Sequence, residues 1–374
     1  MNIIIFFITS FIAFGYAGLL FWIMKGWEET PEWEVPESYV PQTSITVIIA
    51  ARNEENYIKN TIYSVLAQNF PEHLLQLIVV DDQSTDSTPA IVKEIKDHRL
   101  QMLTTGKNTG KKAAISLAVD TAKTDIVICT DADCIAPTDW LRLMVSMYEI
   151  NRPKFLSGPI VYETDRSIVQ RFQYLDGVAN MAITAAGIHH GKFFMANGAN
   201  MLFEKQVFYE VGGYDNEIIA SGDDMMMVQK IANDYPDKVR FLKNAKAAVK
   251  TQPVGSIADL LMQRKRWATK SMHYADKGII KVQAYIFLVV MALIVNTILI
   301  PFTGGFSLFS AVFLLFVKWA MDFLFLNKMA DYFSNKKPLN SFFSASVWFI
   351  IYILWATKNA LLPSKYTWKG RSVN

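Results

Sequence analysis

The chain has 374 residues and is 52% apolar, more than a wholly water-soluble domain usually carries, so part of it is expected to lie in lipid. Its 37 basic and 34 acidic residues leave a net charge of only +3, which excludes a broad basic surface for nucleic acid. Cys129 and Cys134, the only cysteines, have neither CxxC nor zinc-ligand spacing and fit a reduced, cytoplasmic catalytic domain.

Ile3 to Met24 contains no charged residue and is long enough, as a helix, to cross a hydrocarbon core of about 30 Å. No basic n-region precedes it and the run exceeds a signal-peptide core, so the spacing predicts an uncleaved anchor over residues 1–25. An acidic, proline-containing linker follows over 26–43. From Ser44, β-branched runs alternate with amphipathic stretches, which predicts an α/β domain with a mostly parallel sheet over 44–255. Ile45 to Ala51 reads as its first strand, Ile58, Ile62, Val65 and Leu66 as one helix face, and Leu77 to Val80 as a strand ending in Asp81-Asp82. Ser87, Thr88 and Pro89 open the next helix, and Ile126 to Cys129 forms a strand ending at Asp131-Ala132-Asp133. In such sheets ligands collect beyond the carboxyl ends of the strands, where both acidic clusters fall.

Asp131 and Asp133 flank a single alanine, a spacing that lets two carboxylates share Mg2+ or Mn2+ on a diphosphate; a solvated polar turn is the alternative. Asp81-Asp82, followed by Ser84, Thr85 and Asp86, offers acceptors for ribose hydroxyls or a base N–H, or else caps a helix. Lys107 to Lys112 places a glycine turn and cations before a helix, where a phosphate is stabilised, although a solvated basic loop has the same composition. Ser221-Gly222-Asp223-Asp224 reads as a helix start in which one carboxylate caps and the other faces a cleft, where desolvation would tune it as a general base.

Ser256 opens a helix, in an interfacial region over 256–281, that sets Gln263, Arg266 and Trp267 at i, i+3 and i+4 on one face. That face offers an amide, a guanidinium for phosphate and an indole for stacking on a sugar. Taken alone, Arg264 to Trp267 is more simply a basic interfacial stripe with an aromatic anchor. The segment 282–374 is read as membrane helices and a basic tail. Val282 to Val317 is charge-free and interrupted by Pro301 and Gly304-Gly305, which predicts a helical hairpin, and Pro338 to Thr357 is a fourth apolar segment. Lys318 and Asp322, at the end of the hairpin, are expected to form an interfacial ion pair with a snorkelling lysine. The loop Asn327 to Asn340 carries Lys328, Lys336 and Lys337, which puts it in the cytoplasm, and tracing back through the hairpin puts Lys25 to Lys281 there too. Four full crossings would leave Lys365, Lys369 and Arg371 outside, so one apolar segment is expected to lie in the interface or re-enter.

In this order the segments resemble the family 2 glycosyltransferases, an inverting family with the GT-A fold. The motifs are Ala50-Ala51-Arg52-Asn53-Glu54, Val79 to Asp86, Asn108-Thr109-Gly110-Lys111, Asp131-Ala132-Asp133, Gly222-Asp223-Asp224 and Gln263 to Trp267. The last is similar to the membrane-integrated branch of ceramide glucosyltransferases and hyaluronan and cellulose synthases. The resemblance implies that Arg52, Glu54 and Asp82 hold the nucleoside, Lys111 the diphosphate, and Asp131 and Asp133 the nucleotide and metal. It further implies that Asp224 is the catalytic base, with Asp223 as the alternative, and that Gln263, Arg266 and Trp267 close over the diphosphate and floor the acceptor site. Ala50-Ala51 departs from the proline, threonine or serine of many members, and Asn197-Gly198-Ala199-Asn200 matches no single acceptor pattern.

The resulting expectation is an integral enzyme of a bacterial inner membrane, transferring sugar from a nucleotide-diphosphate donor, a UDP-sugar, to a lipid. A processive polysaccharide synthase subunit is the alternative acceptor class. Outside enzymes stand an inactive scaffold and a transporter, and the chain lacks the repeated halves of the latter.

Overall fold

The computed structural model describes residues 2–164, 167–214, 222–271, 276–303, 305–361, 366–368 and 371–373. The chain divides into two compact units, one of residues 30–163, 194–253 and 364–374, the other of 1–29, 164–193 and 254–363.

The first unit is α/β. Its strands before residue 254 are β1 (Ile45–Ala51), β2 (Leu75–Asp81), β3 (Leu100–Thr104), β4 (Ile126–Asp131), β5 (Cys134–Ile135), β6 (Phe155–Ser157), β7 (Ile160–Tyr162), β8 (Met201–Glu204), β9 (Val239–Phe241) and β10 (Val249–Thr251). Seven of them form one sheet in the order β3-β2-β1-β4-β8-β6-β9, and β5-β10-β7 form a second. The first four strands are parallel, as the βαβ pattern predicts, and β8 then runs antiparallel to β4. Ile45, Val47, Ile48 and Ile49 are all buried, as is Thr46 between them, the burial pattern of a strand covered on both faces. Register brings the acidic ends together: Ala51 lies opposite Asp81, and Ala50 opposite Asp131. The predicted strands Leu77 to Val80 and Ile126 to Cys129 each extend to include their first aspartate.

The second sheet is tied to the first through a buried polar hub. Trp140 Nε1 donates to Asn200 Oδ1 at 2.8 Å, and Asn200 Nδ2 donates to the carbonyls of Pro159 and Ala247. Gly158 permits this packing, because a Cβ there would stand 2.4 Å from the Asn200 amide.

The second unit is helical. Numbered through the whole chain, the helices are α1 (Asn2–Glu29), α2 (Ile58–Leu66), α3 (Thr88–Glu94), α4 (Lys111–Thr121), α5 (Trp140–Asn151), α6 (Ile168–His189), α7 (Lys205–Glu210), α8 (Asp223–Asp234), α9 (Ile257–Ser271), α10 (Gly278–Leu299), α11 (Phe306–Tyr332) and α12 (Phe342–Leu361). Of these, α1, α6 and α9 to α12 build the helical unit. Among the described residues four helical stretches, 2–29, 278–302, 306–332 and 337–361, are long and apolar enough to cross a membrane. α1, α10 and α11 pack on one another, whereas α12 packs chiefly on α9. α6 crosses α1 closely, since a Cβ on Gly26 would meet His190 Nε2 at 2.6 Å and the Ala186 methyl at 2.7 Å.

The hairpin breaks where predicted, with Gly305 at φ 94° capping α11; Gly304 lies outside the described residues. Its second arm does not end near Val317 but continues to Tyr332, and this overturns the expected interfacial pair. Lys318 sits mid-helix, is 1% exposed and pairs with Asp322, which also accepts the hydroxyl of Tyr16 from α1. Its ammonium lies 5.0 Å from the ring centroid of Phe349 on α12. Mutual neutralisation lets both charges stay in an apolar helix, with a partner that helical spacing cannot reveal. Lys365 and Lys369 lie outside the described residues, as does the Arg371 side chain.

Candidate active site

The site in the α/β unit begins with the loop after β1. Arg52 donates from Nη1 to the carbonyls of Asp82 and Gln83, at 2.6 and 2.7 Å, so its guanidinium braces the turn that follows β2. Asn53 takes a left-handed φ of 54°, and its Oδ1 accepts the Thr85 N–H, while the Glu54 N–H donates to Thr88 Oγ1. The strand-end loops of β1 and β2 are thereby zipped together through their own side chains.

Asp82 carries this order one loop further. It is 2% exposed, and its Oδ1 accepts from Thr105 Oγ1 at 3.0 Å and from the Gly110 N–H at 2.9 Å. Gly110, at φ 100°, is the N-cap of α4, a conformation that glycine adopts without a Cβ penalty. The carboxylate thus fixes the turn from which Lys111 projects.

Lys111 is the centre of the cluster. Its Nζ stands 2.6 Å from Asp131 Oδ1 and 3.3 Å from Asp223 Oδ2. Burial by itself pulls the ammonium down, but attraction from Asp131, Asp223 and Asp224 outweighs it and holds the group well above its ordinary value. The lysine therefore remains a cation throughout the neutral range.

Asp223 and Asp224 open α8 behind Gly222, which, rather than either aspartate, occupies the N-cap with a φ of 91°; Ser221 lies outside the described residues. Asp223 is 4% exposed and turned to Lys111. Asp224 is half-buried, accepting the Gly198 N–H at Oδ2 (3.0 Å) and the Met225 N–H at Oδ1 (2.8 Å).

Asp131, Asp133 and Cys134 bring their ligand atoms within 4.8 Å of one another. Two carboxylate oxygens suit a hard divalent cation, and the Lys111 ammonium on Asp131 already shows that this position attracts positive charge. The Cys134 thiol is pushed up by burial and stays protonated, which leaves the carboxylates as the donors.

Gly198 is a residue of the site that the sequence reading left unassigned. Its N–H holds Asp224, and a Cβ there would stand 2.8 Å from Lys111 Nζ and 3.4 Å from Asp223 Oδ2. Gly198→Ala is expected to displace the lysine end and lower turnover by up to about 10²-fold, with thermal unfolding of the purified protein unchanged. Only the short-range pattern Asn197-Gly198, a turn dipeptide, hinted at this position.

Gln263, Arg266 and Trp267 belong to the helical unit, on α9. Ser256 caps that helix as predicted, accepting the Asp259 N–H and donating to its carboxylate. The buried basic residue is Arg264, not part of the predicted face: it is 2% exposed, pairs with Asp176 of α6 at 2.7 Å, and lies 4.2 Å from the Trp267 ring. Asp176 was invisible beforehand because its partner is 88 positions away.

The sheet order and acidic strand ends are those of a GT-A fold, and a solved mannosyltransferase from Pyrobaculum calidifontis, in complex with GDP-Man and Mn2+, shares that fold at a TM-score of 0.61 and 20% identity, over 96% of this chain and 99% of that one. Residues 46–212 match the model for Glycosyl transferase family 2, which identifies that stretch as a family 2 glycosyltransferase domain. Among similar proteins, beta-monoglucosyldiacylglycerol synthase of Synechocystis sp. is 28% identical over 62% of this chain and 48% of the relative. Poly-beta-1,6-N-acetyl-D-glucosamine synthase of Staphylococcus epidermidis is 27% identical over 60% of this chain and 53% of the relative. The chain spans about half the length of the curated relatives it matches.

Proposed function

We propose that the protein is an inverting glycosyltransferase that moves a sugar from a nucleotide-diphosphate donor, first among them a UDP-sugar, to a hydroxyl on a membrane lipid. The observation that carries this reading is the cluster that Lys111 and Asp131, within the stretch matching the family 2 model, form with Asp223 and Asp224 at the start of α8. The unit over 44–255 is the proposed catalytic domain, 256–281 the region that meets the acceptor, and residues 25–281 face the cytoplasm of a bacterial inner membrane.

In this reading Arg52, Glu54 and Asp82 hold the nucleoside, and Lys111 meets the diphosphate. Asp131 and Asp133 would hold Mg2+ or Mn2+, which when bound neutralises the departing diphosphate. Asp224 takes the proton from the acceptor hydroxyl as its oxygen attacks the anomeric carbon, so configuration inverts in a single displacement. Its hydrogen bond from the Gly198 N–H fixes the carboxylate while leaving it half-exposed for an incoming hydroxyl. Asp223, buried against Lys111, orients the lysine and is the alternative base. Gln263, Arg266 and Trp267 close over the diphosphate and floor the acceptor site.

A lipid acceptor is favoured over a polysaccharide because α1, α10 and α11 pack against one another, leaving little material for a polymer channel. Incubating membranes with radiolabelled UDP-sugars separates the two: chloroform-soluble label supports the lipid, and insoluble high-molecular-weight label overturns it. Chelation with EDTA is expected to abolish transfer, and Mn2+ or Mg2+ to restore it; undiminished activity in EDTA would remove the metal role of Asp131 and Asp133. Absence of nucleoside diphosphate release with every UDP- and GDP-sugar would favour an inactive scaffold.

A further inference from the structure

Where α1 and α6 end, the helical unit gathers three metal-ligand side chains that sugar transfer does not use. Glu29 is the last residue of α1, His189 is the last of α6 and His190 is its C-cap. Each offers one ligand atom, and the three atoms lie within 4.8 Å of one another. Glu29 Oε2 and His189 Nε2 are 3.4 Å apart. Two donors on one tetrahedral Zn2+, each about 2.0–2.1 Å from the ion, stand about 3.4 Å from each other, so this pair already has the spacing of shared ligands. The rings of His189 and His190 meet edge to face, with centroids 5.1 Å apart, rather than stacking on each other.

Two of the three ligands are braced from behind, as metal ligands are. Lys25, one turn before Glu29, lies 3.7 Å from its Oε1 and leaves Oε2 to the histidine side. The His190 ring stacks on Trp22, with centroids 4.4 Å apart, and its Nε2 meets the Trp22 carbonyl oxygen at 3.4 Å. A carbonyl only accepts, so the proton sits on Nε2 and the other ring nitrogen keeps the lone pair that a metal takes. Gly26 makes this approach possible, since a Cβ there would stand 2.6 Å from His190 Nε2. Both helices also turn their carboxyl ends, the negative ends of their dipoles, to this point, which favours a cation. A surface ion pair would need only Glu29 and His189; it does not account for a second, oriented imidazole beside them.

We propose that Glu29, His189 and His190 bind one Zn2+, with water in the fourth position, and that the ion fastens the end of α1 to the end of α6. Two imidazole nitrogens and one carboxylate suit a borderline cation such as Zn2+, whereas the oxygen pair of Asp131 and Asp133 suits Mg2+ or Mn2+. The zinc site is independent of the sugar-transfer reading.

The test uses the full-length protein in detergent, with any histidine tag removed, stripped with EDTA and titrated with Zn2+ by calorimetry in excess Mg2+. One Zn2+ is expected to bind per chain. The double variant Asp131→Asn with Asp133→Asn is expected to keep that site, which separates it from the proposed catalytic metal. Glu29→Gln is expected to weaken binding at least about ten-fold and His189→Ala to remove it, with equal thermal unfolding of the metal-free proteins showing that each is folded. Absence of Zn2+ binding, binding unchanged in His189→Ala, or binding lost in the Asp131→Asn, Asp133→Asn variant overturns the site. Displacement of Zn2+ by an equal concentration of Mn2+ overturns the choice of cation. Hydrogen exchange reads the fastening: at a Zn2+ concentration that saturates only the wild type, amides of 186–193 are expected to exchange at least about five-fold more slowly there and not in Glu29→Gln. Exchange in the wild type that Zn2+ leaves unchanged overturns the fastening role.

Discussion

Asp224→Asn is expected to lower sugar transfer by about 10²- to 10⁴-fold while leaving nucleotide binding intact, the loss characteristic of removing a positioned general base. The substitution keeps the shape of the side chain, and its amide oxygen can still accept the Gly198 N–H that now binds Asp224 Oδ2 at 3.0 Å. Asp223→Asn should behave differently. Asp223 is buried 3.3 Å from Lys111 and holds the ammonium in the position from which it meets the diphosphate. Its loss is expected to weaken nucleoside-diphosphate binding and raise the donor KM more than it lowers kcat. Steady-state kinetics on purified, folded variants, with calorimetric binding of the nucleoside diphosphate, measure both. Wild-type transfer rates from both variants would remove the proposed base.

Lys318→Met is expected to destabilise the helical unit by about 3–5 kcal/mol, because it leaves the Asp322 side chain, 14% exposed among apolar helices, with the Tyr16 hydroxyl as its remaining partner among the described residues. The double variant Lys318→Met with Asp322→Leu should recover most of that loss, since removing both charges also removes the desolvation penalty of each. Thermal unfolding in detergent, read by intrinsic fluorescence, gives the comparison. A double variant as unstable as the single one would show that the pair does more than neutralise itself. Such a pair fixes the register of α11 against α1, since Asp322 meets Tyr16 at one rotational setting of the two helices.

The central strands and the carboxylates at their ends were legible because both are local signals. A short, largely apolar and β-branched run such as Ile45 to Ala51 specifies a buried strand, and aspartates at the carboxyl end of Leu75–Asp81 and Ile126–Asp131 follow from their place in the chain. The antiparallel half of the sheet was not legible. β6, β8 and β9 are three or four residues long, too short for a period of two to stand out, and β8 pairs with β4 across more than seventy positions.

By itself the amino-acid sequence determined the membrane segments, the parallel core and the identity of the acidic residues, because apolar length, strand period and motif order are properties of contiguous chain. Tertiary structure decided how those residues are used. It converted a pair expected at the interface into a buried triad of Tyr16, Lys318 and Asp322, since α11 runs on to Tyr332. It turned the expected helix cap at Asp223 and Asp224 into a lysine-bound carboxylate and a Gly198-held one, and it put Arg264 rather than the predicted face against Asp176. In each case the deciding partner lies far along the chain, and a side chain's charge state and orientation depend on which groups folding places within a few ångströms of it.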